Sequence, residues 1–152
     1  MFDPLQQIGA LDPLSSRLTR SETKKKESGK TKRRKIMVLV VDDERLIADT
    51  MTEILRRSGF LAQCAYDGQS ALELAVQITP DYVVTDVVMP KMNGVQLAIA
   101  IRKALPSTEI ILLSGQAGIS EIVDRGRKEG YAFELIAKPV HPEKLLQRLN
   151  QA

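Results

Sequence analysis

The sequence has no tryptophan, one cysteine and one histidine, and aromatic residues make up only 4% of its 152 positions. The single cysteine, Cys64, excludes an internal disulfide framework and any multi-cysteine zinc or iron–sulfur site. The single histidine, His141, likewise excludes a metal site built from several imidazoles. No stretch approaches the roughly eighteen apolar residues of a membrane-spanning helix, and the N-terminus lacks the apolar core of a secretory signal. We therefore expect a cytoplasmic protein with no transmembrane segment.

The composition is that of a soluble globular protein, with 43% apolar and 27% charged residues. The length corresponds to one domain with a tail. A chain of this size buries roughly two thirds of its unfolded surface, so it needs no disulfide or structural metal to fold.

Charge is distributed unevenly along the chain. Residues 1–35 hold ten Lys/Arg against four Asp/Glu, a net charge of +6, whereas residues 36–152 hold twelve against fifteen, a net charge of −3. We therefore expect a basic, flexible N-terminal extension over 1–35 and a mildly acidic folded domain over 36–152.

The basic charge is concentrated in residues 24–35, KKKESGKTKRRK, where eight of twelve residues are Lys or Arg. Such a block repels itself and has nothing to bury, which predicts a solvated, disordered stretch. It would attract nucleic acid or an anionic membrane surface, or serve merely as a solubilising arm. Translation from Met37, without these residues, is a further alternative.

From Ile36 onward, apolar β-branched runs alternate with segments of helical periodicity. The strands are predicted at 36–41, 60–66, 82–85, 109–113 and 132–136, and the helices at 45–57, 69–78, 95–104, from about 119, and after Pro142. Five strands joined by short, helix-containing connections predict an α/β fold, a doubly wound parallel sheet with helices on both faces.

Polar residues stand where these predicted strands end. Asp42 and Asp43 follow the first strand, Asp86 ends the third, Ser114 follows the fourth and Lys138 follows the fifth. Ligands of open α/β sheets bind outside the carboxyl ends of the strands, so these side chains are expected to converge on one edge.

The chemistry of this set favours phosphoryl transfer. Three carboxylates at close range need a counter-charge, and their hard oxygens suit Mg²⁺. One carboxylate can then act as a nucleophile toward phosphorus, while an ammonium and a hydroxyl stabilise the transferred oxygens. Taken singly, each residue has a plainer interpretation, such as a helix cap, a solvated loop lysine or a serine bonded to the local backbone.

The motifs are VLVVDDE at 38–44, VVTDVVMPKMNG at 83–94, ILLSG at 111–115 and AKP at 137–139. Together they resemble the receiver domain of two-component response regulators, and the resemblance covers essentially all of 36–152. It implies a flavodoxin-like (βα)5 fold with strand order 2-1-3-4-5, in agreement with the pattern above.

The resemblance also implies roles for individual residues. Asp86 corresponds to the phosphoacceptor, Asp43 to a direct Mg²⁺ ligand and Asp42 to a ligand that acts through a bound water. The backbone carbonyl of Val88 would complete the protein's share of the metal shell.

Two further residues have counterparts in the family. Ser114 resembles the switch hydroxyl that moves toward the phosphoryl group, and Lys138 resembles the lysine that pairs with it. The peptide bond from Lys138 to Pro139 is expected to be cis, as in the family.

One position departs from the family pattern. Many receivers have Tyr or Phe three residues before the lysine, whereas this chain has Leu135, with Tyr131 and Phe133 nearby. Leu135 therefore replaces the aromatic residue that turns inward on activation in many receivers. We expect partners to recognise the face of the fourth helix, fifth strand and fifth helix differently.

Two residues outside the motifs have ordinary interpretations. Cys64 is expected to be a small core residue of the second strand. His141, beside Pro142 at a helix start, is expected to cap the helix or lie on the surface.

The expected function is that of a phosphorylation-dependent switch rather than an enzyme. A phosphohistidine of a sensor kinase or phosphotransfer protein would donate its phosphoryl group to Asp86, and a downstream protein would bind the altered face. The sequence stops after the fifth helix, so we expect a stand-alone receiver without an output domain. The alternatives are a receiver-fold scaffold, an aspartate-nucleophile phosphatase, and a regulator tethered to nucleic acid or membrane through 24–35.

Overall fold

The computed structural model describes residues 34–115 and 119–151, and the predictions for residues 1–33 fall outside this part of the chain. Five strands and five helices alternate in it. The strands are β1 (Met37–Val41), β2 (Leu61–Ala65), β3 (Tyr82–Asp86), β4 (Glu109–Ser114) and β5 (Glu134–Ala137). The helices are α1 (Arg45–Arg57), α2 (Gly68–Ile78), α3 (Gly94–Ala104), α4 (Ile119–Lys128) and α5 (Pro142–Asn150).

The strands form one parallel sheet in the order β2-β1-β3-β4-β5. This is the predicted flavodoxin-like order. The central strand β3 is buried along its whole length, and β1 is buried after its first residue. Their continuous apolar sequences reflect this position, because a central parallel strand is covered on both faces.

Alternate residues of the strands contribute to two hydrophobic clusters, one on each face of the sheet. On one face, Leu39 and Val83 pack among residues of α2 and α3. On the other, Val40 and Val84 lie in one cluster with Leu55 of α1 and Leu145 of α5. The sheet is thereby fixed between two helical layers, and its strand ends form a stable platform for side chains.

The helix starts differ in how they are capped. Asp67 caps α2 by accepting the Ser70 N–H at 2.7 Å, and Asn93 and Gln96 form a reciprocal capping box at the start of α3. Pro142 occupies the first turn of α5, as predicted, since a proline there sacrifices no helical hydrogen bond. His141 is exposed at the N-cap position of α5, but its side chain makes no capping hydrogen bond within the described residues.

Two sequence expectations need correction. Cys64 is half-buried rather than a core residue, because β2 is an edge strand, and its thiol donates to Asp49 Oδ1 at 3.4 Å. The fifth strand begins at Glu134 and ends at Ala137, two residues later than predicted at its start. Like β2 it is an edge strand, where alternation is weak and a strand start is harder to recognise.

The departure at Leu135 is accompanied by an aromatic stack beside β5. The Leu135 side chain is 38% exposed. Tyr131 and Phe133 lie parallel, with ring centroids 6.0 Å apart, and the guanidinium of Arg102 lies 5.1 Å from the Phe133 centroid. The two rings therefore precede the strand and pack toward α3.

No helix in the described part of the chain is both long enough and apolar enough to cross a bilayer.

Candidate functional site

The residues predicted for the site meet at one edge of the sheet. Asp42 directly follows β1, Asp86 is the last residue of β3, and Ser114 is the last residue of β4. Lys138 directly follows β5, whose last residue is paired in register with Ser114. Because the strands are parallel, all these ends lie on the same side of the molecule.

Three carboxylates form the centre of this edge. Asp42, Asp43 and Asp86 can each present an oxygen so that all three atoms lie within 4.8 Å of one another. Asp42 is only 2% exposed and Asp86 only 8%, whereas Asp43 is exposed to solvent. Two of the three negative charges are thus held where water solvates them poorly.

Lys138 supplies a positive charge to the cluster. Its Nζ lies 3.1 Å from Asp86 Oδ1 and 3.7 Å from Asp42 Oδ2. Its backbone N–H donates to the carbonyl of Ser114 at 2.8 Å, which brings the ends of β4 and β5 together. The peptide bond between Lys138 and Pro139 is cis, as predicted.

Asp42 is the most constrained member of the cluster. Its Oδ1 accepts the N–H of Glu44 at 2.9 Å, while its buried Oδ2 has no hydrogen-bond partner among the described residues. Burial raises the pKa of Asp42 above its ordinary value, although the Glu44 hydrogen bond and the Lys138 charge oppose the shift. A buried carboxylate oxygen that lacks a hydrogen bond, beside two further carboxylates, fits a hard divalent cation such as Mg²⁺.

We expect Asp42→Asn to stabilise the metal-free protein at pH 7 by about 1 kcal/mol, because it removes a buried charge and keeps the side-chain shape. Because burial raises the pKa of Asp42, the folded domain retains this proton over a pH range in which the unfolded chain has already lost it. Ionisation of the Asp42 carboxyl therefore lowers the free energy of unfolding as the pH rises through the pKa that this carboxyl has in the folded protein. Thermal unfolding in EDTA between about pH 4 and pH 8 measures the effect, and the gain should shrink toward the acidic end.

The exposed Asp43→Asn is the matched control, since it removes an equal charge without relieving burial. A melting temperature for Asp42→Asn at or below that of the parent protein at pH 7 would contradict the prediction.

Two of the three carboxylates lie at the side of an open cleft of about 680 Å³. Asp43, Asp86 and Lys138 form its polar part, and Ile47, Met51 and Val140 contribute to an apolar part. Ile47 is 40% exposed and the neighbouring Leu46 is 78% exposed, although both belong to the helical apolar pattern of α1. Ile47 therefore borders the cleft instead of filling the core, and Leu46 is exposed to solvent.

Sequence reasoning did not assign a role to Gly94, the first residue of α3. A Cβ at this position would overlap the carbonyl oxygen of Asp86 and lie 2.9 Å from the Val87 Cα. The N–H of Gly94 also donates to the Val87 carbonyl at 2.8 Å. The asparagine–glycine pair before an apolar helix was the available signal, but the contact it permits depends on the tertiary structure.

The family model of the response regulator receiver domain matches residues 38–150. The chain belongs to this family. Membership makes it a signalling domain with a phosphoacceptor role, and receiver domains have an acidic pocket that binds Mg²⁺.

Relatives of this receiver domain include the response regulator MprA of Mycolicibacterium vanbaalenii. The two are 33% identical over 115 residues, which are 76% of this chain and 49% of MprA. The receiver chain thus spans about half the length of the curated relatives it matches.

Solved structures similar to this receiver domain include the chemotaxis protein CheY4 of Vibrio cholerae, with a TM-score of 0.68 and 29% identity over 78% of this chain and 98% of that one. A response regulator receiver protein from Pseudomonas putida matches with a TM-score of 0.67 and 27% identity, over 80% of this chain and all of the other.

Proposed function

We propose that this receiver domain is a phosphorylation-dependent switch whose phosphoacceptor is Asp86. The observation that carries the proposal is the contact of Asp86 Oδ1 with Lys138 Nζ at 3.1 Å, beside two further carboxylates and an open cleft. A carboxylate in this setting can attack phosphorus from the cleft while its surroundings compensate the charge of the incoming group.

The donor in the proposed reaction is a phosphohistidine of a sensor kinase or phosphotransfer protein. An oxygen of Asp86 forms a bond to phosphorus as the bond from phosphorus to the imidazole nitrogen breaks, and the imidazole leaves with the bonding electron pair. Lys138 pairs with a phosphoryl oxygen, and the Ser114 hydroxyl donates a hydrogen bond to another. Hydrolysis of the acyl phosphate returns Asp86 to its carboxylate.

The proposed protein ligands of Mg²⁺ are Asp42, Asp43, Asp86 and the backbone carbonyl of Val88. Of these, Asp42 would act through a water molecule. Bound there, the ion supplies positive charge that offsets the negative charge of the phosphoryl oxygens. The buried Oδ2 of Asp42 supports this assignment, because it has no hydrogen-bond partner among the described residues and burying such an oxygen is costly.

The proposed downstream partner binds the face formed by α4, β5 and α5. On this face Leu135 is partly exposed where many receivers carry an aromatic residue. We also propose a cytoplasmic location and an attraction of residues 24–35 to nucleic acid or an anionic membrane.

Two alternatives are less well supported. An aspartate-nucleophile phosphatase of similar sheet type has its nucleophile after the first strand in a DxD arrangement, whereas this chain has Asp42-Asp43-Glu44 there. A scaffold without phosphorylation would not explain three carboxylates whose oxygens can lie within 4.8 Å of one another, because such a cluster is destabilising without a bound cation.

The test is incubation of the full chain with Mg²⁺ and acetyl phosphate, followed by intact-mass spectrometry. We expect one added phosphoryl group that requires Mg²⁺ and is absent from Asp86→Asn. Beryllofluoride, an analogue of the phosphoryl group, should bind the parent protein under the same conditions. If neither the adduct nor beryllofluoride binding is observed, the scaffold alternative is favoured.

A further inference from the structure

The first turn of α1, which directly follows the acidic residues, has little stabilisation of its own. The N-cap residue Glu44 makes no side-chain capping hydrogen bond within the described ranges, and the first turn carries no acidic residue. Helix starts of this kind leave backbone N–H groups without side-chain partners. By contrast, α2 and α3 both have side-chain caps.

Tyr66, which follows β2, contacts this turn at two points. The guanidinium of Arg45 lies 4.2 Å from the centroid of its ring, and its hydroxyl donates to Asp49 Oδ1 at 2.6 Å. Arg45 and Asp49 are four residues apart and therefore neighbours on one helix face. Donation to a carboxylate also raises the pKa of Tyr66 above its ordinary value. One tyrosine thus ties both ends of the turn to the sheet.

The residue before Tyr66 contacts the other side of the acidic loop. The backbone N–H of Asp42 donates to the carbonyl of Ala65 at 3.2 Å. Asp43 lies between this hydrogen bond and the first turn of α1, and its carboxylate accepts no hydrogen bond from any described residue. The backbone on either side of Asp43 therefore sets the direction of its Cα–Cβ bond, and with it the region that the carboxylate can reach.

We propose that Tyr66 is a positioning residue for the acidic site: by holding Arg45 and Asp49 it fixes the position from which Asp43 meets a divalent cation. This inference rests on the proposed function. The neighbouring thiol of Cys64, which donates to the same Asp49 oxygen, adds a weaker third contact to the arrangement.

The experiment compares Tyr66→Phe and Tyr66→Leu in the full chain. The first variant loses the hydrogen bond to Asp49 and keeps the aromatic ring under Arg45, and the second loses both contacts. Tyr131→Leu is the matched control, because it removes a half-buried tyrosine outside the site. Electron paramagnetic resonance of free Mn²⁺, used in place of Mg²⁺, measures the dissociation constant without any reaction.

We expect Tyr66→Leu to weaken Mn²⁺ binding by about tenfold, the lower end of the effect of residues that orient metal ligands. Tyr66→Phe should fall between this variant and the parent protein, and Tyr131→Leu should bind as the parent does. Hydrogen exchange followed by mass spectrometry should be faster over residues 43–49 in Tyr66→Leu and unchanged there in Tyr131→Leu.

The outcomes separate this inference from the function on which it rests. If the parent protein binds Mn²⁺ and both Tyr66 variants bind it as tightly as the parent does, the positioning role is overturned and the proposed function stands. Equal weakening by Tyr131→Leu would also overturn the role, since it would indicate general destabilisation. A parent protein that binds no Mn²⁺ would overturn both proposals. If Tyr66→Leu fails to fold, the nearly isosteric Tyr66→Phe decides.

Discussion

Gly94→Ala is expected to lower the melting temperature by about 10 °C, which corresponds to about 3 kcal/mol of unfolding free energy. The added methyl group would overlap the carbonyl oxygen of Asp86 and lie 2.9 Å from two backbone carbon atoms. All three atoms belong to the main chain, so no rotamer change can relieve the overlap. Either α3 must move away from the sheet or the end of β3 must move with Asp86.

The same displacement should slow phosphorylation of Asp86 by about tenfold or more, because a reacting oxygen moved by a fraction of an ångström no longer meets its partners. Thermal unfolding and the initial rate of mass increase with acetyl phosphate and Mg²⁺ measure the two effects. The rate is compared at a temperature where both proteins are folded.

Gly59→Ala provides the control for losing a glycine. A Cβ there has no atom within 4 Å, but the φ angle of +98° leaves left-handed strain of about 1–2 kcal/mol. We expect a modest loss of stability and an unchanged phosphorylation rate. A Gly94→Ala protein that matched Gly59→Ala in both measurements would contradict the close approach of α3 to Asp86.

Lys138→Met should slow phosphorylation of Asp86 at saturating Mg²⁺ by about a hundredfold, the usual effect of losing one charged donor to developing negative charge. The substitution keeps an unbranched stem and removes the ammonium group that lies 3.1 Å from Asp86 Oδ1 and 3.7 Å from Asp42 Oδ2. The side chain is 26% exposed, so water replaces the lost charge only in part.

The measurement is a time course of phosphoryl incorporation by intact mass, with circular dichroism to verify folding. Lys144→Met, an exposed position on α5, removes an equal charge away from the carboxylates and should leave the rate unchanged. If Lys138→Met reacted within about threefold of the parent rate, electrostatic assistance by this lysine would be rejected.

The central strands were the most predictable part of the fold. β1 and β3 are continuous apolar segments because both faces are covered, and their bounds differ from the predicted ones by a single residue. The start of β5 was less predictable, because an edge strand with three exposed residues of four has no regular pattern. The exposure of apolar residues of α1 could not be predicted from the sequence either, because helical periodicity alone does not distinguish a core face from the border of a cleft.

The polar members of the candidate site could be located from the sequence because parallel strands end on one edge. What could not be inferred was the order of burial, in which Asp42 and Asp86 are enclosed while Asp43 is exposed. The contacts of Gly94 with Asp86 and of Tyr66 with α1 were also missing from the motifs. Each of these contacts depends on how a helix packs against the sheet, and local sequence patterns do not determine that packing.

The convergence of Asp42, Asp86 and Lys138 from three distant segments has a thermodynamic consequence. In the unfolded chain these groups are separated. A divalent cation or a phosphoryl analogue that bridges them therefore binds the native state alone. Such a ligand stabilises the native state by an amount that grows with the logarithm of its concentration, about 2.7 kcal/mol at a hundred times its dissociation constant. The melting temperature of the domain is therefore itself a gauge of site occupancy, and candidate ligands can be ranked from unfolding curves without observing any chemistry.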